Sequence, residues 1–314
     1  MGILIAITTT LCWSFGIFPF TESAKRFGTS ALNQYRLFLA WIIISVISCF
    51  YYSFSPLHLA ISPTQHNYFY LGLSGIIGFT IGDFCAFNSF KMLGPKLGSL
   101  YTTIAPCAAL ILGALILNEK INLIGVFGMA VTISGVIWLT LSKKDAKEAS
   151  SKGFVRNKAG IIFGIAGALC QGCGLVLSKL GFQKTGELTE IQTLHAVWIR
   201  LLFAFAAAML ISFLSKSFIK NSKVVFTNQN NGFKYMIAGT ILGPVAGVTL
   251  SLLAINHLKV AEAQTIFALL PIFVLPLNYF FYKEKITLPS IFACATAVCG
   301  VFILIWRDNI MQWI

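Results

Sequence analysis

Charged residues are scarce in this chain of 314 residues. They make up 11% of the sequence, while hydrophobic residues make up 57% and the mean hydropathy is +0.82. A soluble domain carries about 25% charged residues. A water-soluble fold of this length could not bury so much apolar surface, so the composition excludes a soluble protein and indicates one that lies in a membrane.

The sequence also lacks the motifs that mark common nucleotide-dependent and hydrolytic enzymes. It contains no Walker A sequence, no GxGxxG followed by a strand, no HExxH and no Gly-x-Ser-x-Gly elbow. An ATP-driven pump is therefore not supported. Asp83, Arg36, His195 and Arg200 are too few and too scattered to specify a membrane-embedded enzyme, so we predict no enzymatic activity and no cofactor.

Most of the eight cysteines lie inside apolar runs. Disulfide frameworks belong to small secreted domains, so none is predicted here. Cys170 and Cys173 have the spacing of a redox or zinc-ligand pair, but they lie in an apolar run without a second pair. We therefore predict no metal site.

Long apolar runs dominate the chain. A helix needs about 20 apolar residues to cross the hydrocarbon core, and backbone groups in lipid must pair within their own segment, so such runs are helices. The pattern predicts an all-α membrane protein with ten transmembrane helices. The runs lie at about residues 3–21, 30–53, 67–90, 97–118, 122–141, 159–180, 192–214, 233–256, 262–282 and 287–306.

The second half of the chain repeats the first. Leu93–Ile121 resembles Leu258–Ile286 at a shift of 165 positions, and each segment carries a proline near its middle, Pro106 and Pro271. Each segment also closes on an acid–base pair, Glu119-Lys120 and Glu284-Lys285. Internal repetition of this kind defines the architecture.

We predict a first five-helix repeat over residues 1–142, a basic linker over 143–158 and a second repeat over 159–314. Five spans is an odd number, so the second repeat enters the membrane from the opposite side and the two repeats are inverted. That arrangement is common in transporters, whose binding sites lie near the midplane between the repeats. The linker is polar and basic, and we expect it to be mobile.

Lysine and arginine are distributed unequally between the two sides of the membrane. Sixteen lie in or beside the segments of one side and four on the other. The positive-inside rule places the basic side in the cytoplasm, which puts both termini outside a multi-pass protein of the cytoplasmic membrane. The basic residues are spread over several short loops with little aromatic interleaving, so nucleic acid is not a predicted partner.

Ionisable residues inside a span are costly and tend to be functional. Asp83 is the only acid well inside an apolar run, and its alternative role is a structural partner for a buried base. Arg36, Arg200 and Lys179 are candidate charge partners. For these three bases the alternative is an extended side chain that reaches the membrane surface.

Aromatic and polar residues near these charges suggest a cavity. Phe79 and Phe87 flank Asp83 at helical spacing, where they could hold an amine-bearing substrate or simply pack. The kink prolines either line the cavity or only bend their helices. The predicted cavity residues are Trp13, Phe79, Asp83, Phe87, Tyr101, Pro106, Gln171, Gln264 and Pro271.

The sequence resembles the EamA-type branch of the drug/metabolite transporter superfamily. The resemblance rests on ten spans, a five-plus-five repeat, a proline-centred fourth span ending in an acid–base pair, and Trp13 in LCWSFG. The family's glycine before that acid–base pair is replaced by Asn118 in Asn118-Glu119-Lys120 and by Lys283 in Lys283-Glu284-Lys285.

The resemblance implies a secondary transporter and exporter, a monomer or homodimer, with a central cavity for an amino acid, other metabolite or drug. The first span has no acid, so proton coupling would fall on Asp83. The alternative functions are a membrane-embedded enzyme and a non-transporting membrane scaffold.

Overall fold

The structure, a computed structural model, describes residues 1–52, 64–117, 121–182, 190–258 and 260–313. Within these ranges the chain is helical and forms no strand, and ten helices are long and apolar enough to cross a membrane. They are α1 (Gly2–Phe27), α2 (Thr29–Tyr52), α3 (Gln65–Gly75, Ile76–Gly82 and Asp83–Leu93), α4 (Pro95–Tyr101, Thr102–Ile104 and Ala105–Leu117), α5 (Leu123–Leu141), α6 (Lys158–Phe182), α7 (Glu190–Leu214), α8 (Phe233–Thr240, Ile241–Gly247 and Val248–His257), α9 (Val260–Phe267 and Leu270–Tyr282) and α10 (Leu288–Ile305).

The predicted number and order of spans are confirmed. The boundaries differ by a few residues, and the largest difference is that α1 continues past residue 21 to Phe27. Shorter helices cover Lys143–Ser151, Phe218–Phe226 and Arg307–Trp313.

The helices pack with the symmetry of two inverted five-helix repeats. The first helix of each half packs against the third and fourth helices of the other half, α1 on α8 and α9, and α6 on α3 and α4. The equivalent helices α2 and α7 pack on each other, as do α5 and α10. Neither half therefore encloses a core alone, and the interface between the halves runs through the middle of the molecule.

Helix starts occur at equivalent places in both halves. α5 follows the N-cap residue Asn122, whose side chain accepts a hydrogen bond from Gly125 N at 2.8 Å. α10 follows the N-cap residue Thr287, which accepts from Ser290 N at 3.2 Å. Both caps satisfy a backbone N–H that the first helical turn leaves without a partner. They stand 165 positions apart, in the register of the sequence repeat.

Helix interruptions follow the same register. α3 and α8 each contain a π-helical turn, at Ile76–Gly82 and Ile241–Gly247. Such turns widen the hydrogen-bond ring by one residue and are frequent at functional sites. The expected breaks near the prolines are also present, a 3₁₀ turn at Thr102–Ile104 before Pro106 and a non-helical turn just before the segment that carries Pro271.

Small residues allow α5 and α10 to approach closely. A Cβ at Gly300 would lie 2.3 Å from Thr132 N, and one at Gly135 would lie 2.6 Å from Ala297 N. Membrane helices commonly associate through small residues in this way. This pair leaves the other eight helices to surround the space between the halves.

The linker between the halves, which the sequence predicted to be mobile, packs against the bundle. Its helix Lys143–Ser151 buries Asp145 and Ala149 completely or nearly so, and the following Phe154 is 1% exposed. Phe154 packs over Gly94, a residue with φ of +85°. Arg156 donates to three carbonyls at the end of α5, those of Leu139, Thr140 and Ser142. These contacts hold the linker across the end of the bundle at which it connects α5 to α6, hereafter the linker end.

Candidate substrate-binding cavity

A cavity of about 360 Å³ lies between the two halves. Side chains of every spanning helix except α5 and α10 line it. Most of the lining is apolar or aromatic, with a few polar groups, which is the usual composition of a small-molecule site. The predicted cavity residues found in the lining are Trp13, Phe79, Asp83, Phe87, Tyr101, Pro106, Gln171 and Gln264, together with the candidate charge partners Arg36 and Arg200.

Two predicted residues lie elsewhere. Pro271 is buried in the first turn of its helical segment, where the missing backbone N–H costs nothing, and it does not line the cavity. Lys179 is exposed near the end of α6, outside the lining.

Asp83 follows directly after the π-helical turn of α3. Its Oδ2 accepts a hydrogen bond from Arg36 Nη2 at 2.5 Å, and its Oδ1 accepts one from Gln171 Nε2 at 2.6 Å. Arg36 lies on α2 and Gln171 on α6, so one carboxylate joins three helices from both halves. Charge-assisted hydrogen bonds of this kind are stronger than neutral ones.

The π-helical turn explains how these groups converge. Three successive carbonyls of the turn accept side-chain hydrogen bonds: Gly78 O from Gln171, Phe79 O from Arg36 and Thr80 O from Asn33. Regular α-helical carbonyls are already paired within the helix. The turn thus presents backbone acceptors at the depth of Asp83, an arrangement that the sequence alone did not predict.

Arg36 is 2% exposed and does not reach the membrane surface, which corrects that interpretation. Besides Asp83 and Phe79 O, its guanidinium donates to Asn33 Oδ1 at 3.1 and 2.9 Å. The guanidinium also lies 4.7 Å from the ring centre of Phe87. Asn33 is a functional candidate that sequence reasoning missed, although its position one turn before Arg36 was a usable signal.

Arg200 also stays in the interior of the bundle. It lies ten residues after Glu190, the first residue of α7, or about 15 Å along the helix axis. Its guanidinium lies 4.4 Å from the ring centre of Phe79. Its Nε is buried without an acceptor, and no described carboxylate lies within ion-pair distance of it. The surface interpretation is therefore wrong for Arg200 as well.

The rings of Phe79 and Phe87 already lie against arginine side chains of the protein itself. Phe79 faces Arg200 and Phe87 faces Arg36, and both rings are nearly buried. The suggestion that they would hold an amine beside Asp83 does not match this arrangement.

The register of the repeat pairs Asp83 with Val248, so the acid occurs in one half only.

A second charged cluster lies at the linker end and consists of Lys96, Asp145 and Glu284. Lys96 Nζ lies 2.8 Å from Asp145 Oδ1 and also pairs with Glu284. The side chains are 4%, 0% and 1% exposed. The cluster joins α4, the linker helix and the end of α9, and sequence reasoning missed it because its members come from three distant segments.

Neighbouring hydroxyl and amide groups complete this linker-end cluster. Ser142, Thr287 and Ser290 donate to Asp145, and Asn278 donates to Glu284. Burial by itself raises the pKa of the Asp145 carboxyl, but hydrogen bonds from Lys96, Ser142 and Ser290 and the charge of Lys96 outweigh it, so the pKa lies below its ordinary value. Asp145 is therefore ionised at neutral pH. The matching motif Asn118-Glu119-Lys120 lies outside the described residues.

A family model described as the EamA-like transporter family matches residues 1–141 and again residues 158–306. The chain belongs to the EamA-like transporter family. The double match agrees with the two-repeat architecture, and the membership makes the protein a multi-pass membrane protein of a transporter family.

Two further comparisons found similar proteins. The chain is 37% identical over 79 residues to the multidrug resistance protein EbrB of Bacillus atrophaeus, a match that covers 24% of this chain and 67% of EbrB. A solved crystal structure superposes with a TM-score of 0.58 at 15% identity, over 99% of this chain and 98% of the other. At that identity the likeness shows the fold alone.

Proposed function

We propose that this EamA-like protein is a secondary transporter that moves a small metabolite, amino acid or drug-like solute across the cytoplasmic membrane by alternating access. The observation that carries the proposal is a charged cavity of about 360 Å³ at the interface of two inverted repeats. Sites at this place are typical of transporters with such repeats. One chain surrounds the cavity, so the transport unit is a single chain, present as a monomer or homodimer.

The packing suggests which parts move. α6 and α7 pack on α3, whereas α1 and α2 pack on α8. In our proposal these two groups rock against each other around the cavity. The ion pair of Arg36 on α2 with Asp83 on α3 crosses from one group to the other. The linker-end cluster holds one end of the bundle closed, and its separation would open that end.

Flux through reconstituted protein tests the proposal. Purified protein in liposomes should accelerate movement of at least one solute from a panel of amino acids, organic acids and drug-like cations, relative to protein-free liposomes. A chemically altered solute would instead support a membrane-embedded enzyme. Absence of flux for the whole panel would support a non-transporting scaffold.

Export is the direction we propose, and drug-like solutes are included because EbrB carries the name of a multidrug resistance protein. Cells that express the protein should accumulate less of a transported solute than cells that express an inactive variant. Higher accumulation would indicate uptake. Protons are the proposed coupling ion only if Asp83 releases Arg36 during the cycle, which the Asp83 variant described in the Discussion tests.

We predict that both termini face away from the cytoplasm. The basic residues concentrate at the linker end, and the positive-inside rule places that end in the cytoplasm. A reporter that is active only outside the cytoplasm should be active when fused to the C-terminus. The same reporter inserted at residue 228, between α7 and α8, should be inactive. The reverse pattern would overturn the orientation and leave the helix arrangement unchanged.

A further inference from the structure

The charges that line the cavity do not balance. Among the described residues its lining contains two arginines, Arg36 and Arg200, and one acid, Asp83. Two positive charges and one negative charge leave a net charge of one positive unit. Asp83 is already committed to Arg36 and Gln171, and no carboxylate among the described residues lies at ion-pair distance from Arg200.

Arg200 is the residue that this imbalance singles out. An ionised group in a low-dielectric interior is costly unless it is paired and hydrogen-bonded. The ring of Phe79 offers its guanidinium a partial compensation, but the Nε donor remains buried without an acceptor. The protein thus maintains an arginine beside the cavity that forms no ion pair with any carboxylate among the described residues.

We infer that the transported solute is an organic carboxylate with an apolar body, and that Arg200 binds its carboxylate. This inference rests on the transport function proposed above. Arginine matches a carboxylate because its planar fork can donate two parallel hydrogen bonds. One negative charge on the solute brings the net charge of the occupied cavity to zero.

The rest of the lining fits an apolar body. Trp13 and Phe267 meet edge to face with ring centres 5.1 Å apart, and both border the cavity. Apolar and small residues such as Ile17, Leu175 and Ala168 extend this surface. A solute without such a body would leave this surface in contact with water and gain little from burial.

A cationic solute fits the same cavity poorly. Both oxygens of Asp83 already accept short hydrogen bonds, and the rings of Phe79 and Phe87 already lie against guanidinium groups. A solute cation would therefore add a positive charge to a positive site and displace an existing partner. The charge distribution separates this protein from a transporter built to bind cations.

A series of three solutes tests the inference directly. 3-Phenylpropionate, 3-phenylpropanamide and 3-phenylpropylamine share a phenylpropyl body and carry a negative charge, no charge and a positive charge, respectively. Isothermal titration calorimetry on the purified protein should show the carboxylate binding at least about tenfold more tightly than the amide, since hydrogen bonds between charged groups are stronger than neutral ones. The amine should bind more weakly than the amide.

Arg200→Gln should remove the preference for the carboxylate while leaving the binding of the amide within about twofold of the original protein, since no charge is involved there. Lys234→Gln removes the same charge from an exposed residue at the linker end and is the matched control, expected to keep the preference. If Arg200→Gln does not fold, Arg200→Lys is measured instead, because lysine keeps the positive charge but lacks the planar guanidinium that donates two parallel hydrogen bonds. Arg200→Lys should weaken carboxylate binding yet preserve the order of affinity of the three solutes.

Binding and flux separate the two proposals. Three results would each overturn the inference: tighter binding of the amine or amide by the original protein, no binding of any of the three solutes, or an unchanged preference in Arg200→Gln. If one of these results is found and the protein still moves a solute across the liposome membrane, the proposed transport function stands and only the inference about the carboxylate fails. Carboxylate binding that depends on Arg200 without any flux would support the inference about the site and overturn the transport function.

Discussion

Replacing Lys96 with methionine is expected to lower the free energy of unfolding by about 3–5 kcal/mol, the cost of breaking a buried ion pair by removing one partner. Methionine preserves most of the length and apolar stem of the side chain. The change leaves Asp145 and Glu284 side by side without their shared cation, in a place where both are almost completely buried. Thermal unfolding in detergent and the fraction of monodisperse protein on size-exclusion chromatography measure the effect.

Two variants make the Lys96 result specific. Lys91→Met removes a lysine from the same end of the bundle that forms no ion pair with a described residue, and it should leave stability within about 0.5 kcal/mol of the original. Adding Glu284→Gln to Lys96→Met removes one of the two carboxylates left without their cation, and it should recover part of the lost free energy of unfolding. Unchanged stability of Lys96→Met would show that water reaches the cluster and that it does not hold the linker end closed.

Replacing Asp83 with asparagine is expected to leave folded, membrane-inserted protein whose transport rate falls at least about tenfold, or loses its pH dependence. Asparagine keeps the size of the side chain and removes the negative charge that binds Arg36 on α2 and Gln171 on α6. The expected fall is at least about tenfold because one hydrogen bond to a charged group is worth about 1.5–3 kcal/mol. Folding should survive because Arg36 retains Asn33 Oδ1 and Phe79 O as acceptors. Flux in liposomes across a pH series measures the change.

The affinity for the solute distinguishes the roles of Asp83. If the anion inference is correct, Asp83→Asn makes the cavity more positive, so binding of 3-phenylpropionate should not weaken while turnover falls. Asp308→Asn, at a side chain that is 70% exposed, is the matched control and should transport normally. Normal flux at every pH in Asp83→Asn would remove this carboxylate from the mechanism. Loss of folded protein would assign it a structural role, and Asp83→Asn combined with Arg36→Gln should then recover folding.

Much of the cavity could be predicted because charge and polarity are rare inside apolar runs. A single acid such as Asp83, or a base such as Arg36, stands out in a span where each ionised group carries a large desolvation cost. Trp13, Tyr101, Gln171 and Gln264 were predicted because they are aromatic or polar residues within apolar runs. All of these line the cavity.

The failures have a common physical cause. The partner of a side chain depends on helix rotation and depth, which a periodic pattern does not contain. Phe79 and Asp83 appeared to share a helix face, but the π-helical turn at Ile76–Gly82 changes the register between them and Phe79 lies against Arg200. Pro271 resembles Pro106 in sequence, yet only Pro106 borders the cavity.

The sequence by itself determined that the protein lies in a membrane, and it also determined the ten spans, the inverted repeat and the family. It could do so because long apolar runs and a shift of 165 positions are local or periodic properties of the chain. Tertiary structure alone decided the pairing of Arg36 with Asp83, the position of Arg200 away from ion-pair contact with any described carboxylate, and the convergence of Lys96, Asp145 and Glu284. These pairings arise between residues distant in sequence, and their energies depend on burial and on distances of a few ångströms.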